Sequence, residues 1–155
     1  MNRVALASLA LSGAALVGIA THEGFVGRTY LDVVGIPTIG FGTTKDVKPN
    51  QTITPERALI RLLQDANVME KQLKQCIGDV PMHQHEWDAL VSWTYNVGTG
   101  AACKSTLVKK LKAGDYKGAC NELSRWTYVD GKQLQGLVKR REHERQMCLG
   151  TLTSY

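Results

Sequence analysis

The sequence predicts an α+β fold that is mainly α, with a small sheet followed by a longer run of helices. Three observations carry this expectation. Apolar residues recur at helical spacing between Leu59 and Leu73, glycines separate further helix-length segments after residue 80, and a short β-branched stretch precedes them all. At 155 residues, 43% hydrophobic and 21% charged, the chain fits one compact domain, and its composition argues against disorder or a fibre.

The first element follows Met1-Asn2-Arg3 and is a run of uncharged residues from Val4 to His22, rich in Ala, Gly and Ser as well as Leu, Val and Ile. As one helix it would rise roughly 28 Å, just short of a hydrocarbon core about 30 Å thick. Arg3 on its leading flank keeps the start in the cytoplasm and sends the rest outward. Three readings compete: a cleaved signal peptide, a permanent anchor, and a helix of a soluble domain. Gly18 and Ala20 have the spacing of a cleavage site after Ala20, so composition alone puts cleavage first.

Next comes HEGFVGRTYLDVVGIPTIGFGTT, residues 22–44, which sets Glu23, Asp32 and Thr38 among glycines. Ile36 to Gly42 reads as a short strand with Pro37 near its start, as an edge strand allows. Period two would point Ile39 and Phe41 to a core and leave Thr38, Gly40 and Gly42 along a ligand face. Two carboxyls flanking a glycosidic bond can divide acid and water-activating work between them. Glu23, behind Ala20 and an apolar helix, is the better acid, because a partly apolar pocket favours a neutral carboxyl. By itself this acid, acid, hydroxyl spacing occurs by chance in many chains.

From Thr54 a helix is predicted, with Thr54 as cap, Pro55 in the first turn, and Leu59, Leu62, Leu63, Ala66, Met69 and Leu73 as one stripe reaching Cys76. Further helices are expected over 82–97, 104–113, 115–126 and 137–149, with a turn at Val129-Asp130-Gly131-Lys132. Trp87, Trp93 and Trp126 are assigned to the core.

Cys76, Cys103, Cys120 and Cys148 form no CxxC and share no ligand spacing with the four histidines, which argues against a zinc site. In an exported chain two disulfides are expected, with buried free thiols as the alternative. Three pairings are possible, and positions near helix ends favour 76 with 103 and 120 with 148. The net charge of +5 suits an anionic partner, whether nucleic acid, membrane or wall polymer, but no nucleic-acid-binding signature is present. Lys139, Arg140, Arg141 and Arg145, interleaved with Glu142 and Glu144, read as a solvated helix face.

Residues 22–44 resemble the active-site signature of the bacteriophage-type lysozymes, endolysins that cut host peptidoglycan: E-G, then Y-x-D, then G-x-x-T-I-G-x-G. The likeness continues through Trp87-Asp88-Ala89-Leu90, Tyr95-Asn96-Val97-Gly98, Ser105-Thr106-Leu107, Arg125-Trp126, Gly136-Leu137 and Arg140-Arg141-Glu142, covering about residues 21–149. It implies a lysozyme-like fold in which a long helix joins a small sheet lobe to a helical lobe. It implies catalysis by Glu23 as general acid, with Asp32 and Thr38 positioning the attacking water and inversion as the outcome. It also implies substrate contacts from Tyr95, Asn96, Thr44 and Thr106. The family's commoner histidine after the last glycine is Thr43 here.

In such lysozymes the acid ends the first helix, so cleavage after Ala20 would remove the helix that orients Glu23, and retention is favoured. Residues 4–22 resemble the signal-anchor-release segment of a subset of phage endolysins, a weakly hydrophobic helix that enters the membrane and later leaves it. The expected organisation is a release segment over 1–22, becoming part of the first helix, and a catalytic domain over 23–155. No cofactor or metal is expected, and the expected state is a monomer. Peptidoglycan and, transiently, the inner membrane are the expected partners. The protein would be anchored facing the periplasm, then soluble there. A lytic transglycosylase and a non-catalytic membrane-anchored wall-binding module are the alternatives.

Overall fold

The computed structural model describes residues 1–152. In chain order its elements are α1 (Gly13–Glu23), β1 (Val26–Leu31), β2 (Pro37–Gly40), α2 (Pro55–Ile77), α3 (Gln84–Val97), α4 (Thr99–Lys104), α5 (Thr106–Lys112), α6 (Tyr116–Glu122), β3 (Tyr128–Val129), β4 (Lys132–Gln133) and α7 (Gln135–Cys148). The mainly helical α+β expectation holds.

β1 and β2 pair antiparallel, Tyr30 opposite Thr38 and Leu31 opposite Pro37. Segment 51–53 lines the other edge of β1 through bonds from Thr29 N to Gln51 O and from Ile53 N to Gly27 O, 3.0 Å each. This small lobe feeds into α2, whose Thr54 cap accepts from Arg57 N at 3.4 Å. At about 1.5 Å per residue α2 rises roughly 34 Å, enough to cross from the sheet into the helical lobe. There every residue from Glu86 to Thr94 of α3 is buried, making α3 the helix around which the others pack. Trp87 and Trp93 are fully buried, and Trp126 packs edge-on against Trp93 at 5.1 Å.

Several expectations shift in detail. The buried stripe of α2 is Ala58, Leu62, Ala66, Glu70, Leu73 and Ile77. Leu63 is exposed, because the helical period carries position 63 off the stripe that Leu62 occupies. The helix expected over 104–113 is α5, started by the Ser105 hydroxyl, which accepts from Val108 N at 3.2 Å, and the short α4 before it is an addition to the expected set. The 115–126 helix stops at Glu122 and continues as a 3₁₀ turn, and the turn at Asp130-Gly131 joins a small hairpin, β3–β4.

Residues 4–22 are not one helix. Leu6–Ser8 form a 3₁₀ turn and α1 begins only at Gly13, because Asp88 holds Ser12 at the cap position: Ser12 N donates to its Oδ1 at 3.0 Å and Ser12 Oγ to its Oδ2 at 2.7 Å. Two more buried acids hold the preceding residues. Glu70 accepts from Leu11 N at 2.6 Å and from the Trp87 indole at 2.7 Å, and Glu86 pairs with Arg3 at 2.7 Å. Val4 and Met82 exchange backbone bonds, and Leu6 and Leu9 enter the core. Among the described residues no helix is long and apolar enough to cross a membrane. Disulfides join Cys76 to Cys103 and Cys120 to Cys148, with Cα separations of 5.8 and 5.6 Å, tying α2 to α4 and α6 to α7.

Candidate active site

Glu23 is the last residue of α1, where Ile19 and Ala20 anchor the helix in the core and Gly24 ends it. Its carboxylate is held from α7, with Arg140 Nη1 donating to Oε1 at 2.8 Å. Arg140 is itself fixed on three sides. Its Nε donates to Glu144 Oε1 at 3.1 Å and its Nη2 to the Ser92 carbonyl at 3.2 Å, while Ser92 Oγ donates to the same Glu144 oxygen at 2.8 Å. Arg141 completes the network, donating to Glu144 Oε2, to Asn96 Oδ1 and, at 2.9 Å, to the Trp126 carbonyl. Arg140, Arg141 and Glu144 are all buried, so half of the expected solvated face on α7 is instead the charged interior behind Glu23, while Lys139 stays exposed and Glu142 pairs with Arg145 near the surface. Alternation explains the correction: Met147 and Cys148 mark the buried face, and positions 144, 141 and 140 lie on it three to four residues apart.

The other oxygen of Glu23 faces the turn after β2. A Cβ placed at Gly42 would stand 3.3 Å from Glu23 Oε2, and the positive φ of Gly42, 82°, already disfavours a side chain there. The turn closes by mutual backbone bonds between Ile39 and Thr43, at 3.0 and 3.1 Å, and this changes the expected alternation. Thr38, Ile39 and Gly40 are buried in succession, and Phe41 sits in the turn beside Phe25 at 5.5 Å between ring centres. Gly40 does not line a ligand face, because a Cβ on it would meet the Ala58 Cβ of α2 at 2.8 Å.

Two side chains pin this turn. The Tyr95 hydroxyl donates to the Phe41 carbonyl at 3.0 Å, and the buried Thr43 hydroxyl donates to Asp65 Oδ2 of α2 at 2.8 Å. Burial pushes the Tyr95 phenol above its ordinary range, and the negative charges of Asp65 and Glu23 add to the rise, so it stays a protonated donor. His22, beside Glu23, is pushed below the usual histidine range by burial and then by Arg140, and its ring meets His143 edge-on at 5.4 Å.

Asp32 opens the turn between β1 and β2. Its Oδ1 accepts from Val34 N at 2.9 Å and Ile36 N at 2.8 Å, and its own N–H donates to the Ile36 carbonyl at 3.0 Å. Thr38 Oγ1 donates to that same carbonyl at 2.9 Å, so Asp32 and Thr38 converge on one group of the hairpin. Of the proposed substrate contacts, Tyr95 borders the Glu23 turn and Thr44 follows it, exposed. Asn96 is engaged with Arg141, and Thr106 is exposed at the start of α5. Sequence reading missed Arg140, Asp65 and the bracing role of Thr43. The first was legible from the stripe of α7, the others only from tertiary contacts.

Known proteins are similar to this chain in sequence and fold. The phage lysozyme family model matches residues 20–144. A SAR-endolysin of bacteriophage PS119 is 38% identical over 96% of this chain and 91% of its own, and a SAR-endolysin of Enterobacteria phage P21 is 38% identical over 92% and 88%. The solved endolysin from the Escherichia coli O157:H7 phage FAHEc1 superposes with a TM-score of 0.83 at 36% identity, covering 96% of this chain and 98% of that one. The chain therefore belongs to the phage lysozyme family, the peptidoglycan-cleaving endolysins of phage lysis.

Proposed function

We propose that the protein is a muramidase, hydrolysing the β-1,4 bond between N-acetylmuramic acid and N-acetylglucosamine. Glu23 protonates the leaving oxygen, and Asp32 and Thr38 position the water that attacks the anomeric carbon from the opposite face. The observation that supports this most is the placing of Glu23: one oxygen is fixed by Arg140, and the other is turned to a glycine that keeps side-chain bulk away from it. Tyr95 and Thr44 lie beside that turn as the nearest candidates for sugar contacts, with Asn96 and Thr106 further round the helical lobe.

Glu23→Gln and wild type on purified peptidoglycan separate the readings. Clearing at equal rates would remove Glu23 from the mechanism. Mass spectrometry of the products then distinguishes hydrolysis, which leaves a reducing muramic acid, from a transglycosylase, which leaves an anhydro-muramyl end.

Residues 1–22 are, in this reading, a release segment, and residues 23–155 the catalytic domain. While residues 4–22 are in the inner membrane, Glu23 is held at the bilayer border, apart from Asp32 and Thr38, and the enzyme is inactive. Release into the periplasm lets residues 3–12 dock on Glu70, Glu86 and Asp88 and lets α1 present the acid, giving a soluble monomer. Support comes from the mixed surroundings of α1, whose Ile19 is buried while Val17 is exposed, and from the low content of large apolar side chains in the segment. No cysteine lies in residues 1–75, so the segment is not caged by a thiol of its own. Cell fractionation before and after depolarisation tests it: full-length protein wholly soluble beforehand would end the tethering proposal.

A further inference from the structure

The tip of the β1–β2 hairpin is the most apolar exposed feature of the small lobe. Leu31 is 66% exposed, Val33 102%, Val34 73% and Ile36 46%. Exposed aliphatic side chains clustered on a six-residue tip mark a contact surface. Four backbone donors of this tip are also satisfied from within. The N–H groups of Asp32, Val34, Gly35 and Ile36 all donate inside the tip, to the Ile36 carbonyl, Asp32 Oδ1, the Asp32 carbonyl and Asp32 Oδ1 again, at 2.8 to 3.0 Å. Donors that need no water lower the cost of leaving it, and the remaining carbonyls stay hydrated at the depth of the headgroups. The Asp32 carboxylate, folded inward at the base, limits such a transfer to the interfacial depth of a bilayer.

Basic groups stand behind the tip. Arg28 is exposed on β1, and exposed Lys48 is held close by, its carbonyl accepting from Thr29 Oγ1 at 2.8 Å. We propose that the hairpin tip is a lipid-contacting element, in which Leu31, Val33, Val34 and Ile36 enter the interface of an anionic bilayer and Arg28 and Lys48 meet its headgroups. A protein partner fits less well, because four aliphatic side chains fall far short of the roughly 20–30 residues a side of a stable interface. The wall glycan fits less well too, because residues 31–36 hold no aromatic ring for a sugar face. The contact places Asp32 against the lipid surface, so a protein near its membrane would have its second carboxylate withheld from the wall polymer. The lipid contact does not depend on the muramidase reading.

The test uses the full chain with Val34→Trp and, as a control on the exposed side of α2, Val68→Trp. Vesicles of phosphatidylethanolamine and phosphatidylglycerol, with and without brominated acyl chains, report contact at each indole after subtraction of wild-type emission. The expected result is a blue shift and at least a twofold loss of the added emission for Val34→Trp, with no change for Val68→Trp. The Val33→Asp/Val34→Asp double variant is expected to partition at least tenfold less to these vesicles. Absence of quenching at position 34 overturns the proposal, even if insertion of residues 4–22 alone brings the protein to the vesicle. Equal quenching at both positions overturns it as well, as does a blue shift on purified sacculi with none on vesicles. Equal partition to neutral phosphatidylcholine vesicles overturns the role of Arg28 and Lys48. None of these readouts measures hydrolysis, so their failure is distinct from failure of the catalytic assignment.

Discussion

Replacing Glu144 by Gln removes one negative charge from the interior behind Glu23 at almost no change in volume. Glu144 is fully buried and accepts from Ser92, Arg140 and Arg141, so it is the shared counter-ion of two buried guanidinium groups. An amide in its place keeps the shape but takes the carboxylate partner from Arg141, leaves Arg140 with Glu23 alone, and turns an NH₂ toward one of their donors. Breaking a buried pair in this way costs about 3–5 kcal/mol. For a domain of this size each kcal/mol moves Tm by roughly 2–4 °C, so the expected fall is on the order of 10 °C. Thermal and urea unfolding followed by circular dichroism measure it. Glu142→Gln on the same helix is the control, since Glu142 pairs with Arg145 at 46% side-chain exposure and its loss is expected to cost under about 1 kcal/mol. Activity on peptidoglycan at 20 °C, well below the transition, should fall about tenfold or more in Glu144→Gln, because Arg140 then loses the contact that aims it at Glu23. A Tm within 2 °C of wild type, or equal effects of the two substitutions, would refute the reasoning.

Three further outcomes are expected. The histidine at position 22 has its folded pKa depressed, so the unfolded chain binds its proton first as pH falls: stability is fully present above the ordinary histidine pKa of about 6.5 and declines below it, and His22→Gln should flatten that decline in unfolding curves taken between pH 7 and 5.5. Cys120→Ser with Cys148→Ser opens a bridge between residues 28 apart and should lower stability by roughly 3–4 kcal/mol in urea unfolding. Gly40→Ala adds a methyl 2.8 Å from the Ala58 Cβ at a φ of 67°, and should cost about 1–3 kcal/mol by the same measurement.

What was legible in the sequence follows the reach of each signal. α2 was readable because its start is local, Thr54 and Pro55, and its apolar stripe is long. The two disulfides were readable because each cysteine lies near a helix end or packed face. Glu23, Asp32 and Thr38 stood out only through resemblance, since their spacing alone carries little information. Arg140 and Arg141 were misplaced because charge at helical spacing ordinarily marks a wet surface, and only the neighbouring Met147 and Cys148 indicate a buried one. The irregular path of residues 4–12 was hidden for a different reason. An apolar run reads as helix, whereas the groups that hold it open, Glu70, Glu86 and Asp88, lie 59 to 83 positions away.

That separation has a consequence for biosynthesis. Residues 3–12 are synthesised before their partners, which are complete only when residue 88 has been made, so this segment cannot take its docked path when it appears. Until then its apolar side chains and backbone lack the groups that hold them in the fold. The order of synthesis alone thus gives any competing apolar environment the first opportunity to take up this segment, before the domain that will later receive it exists.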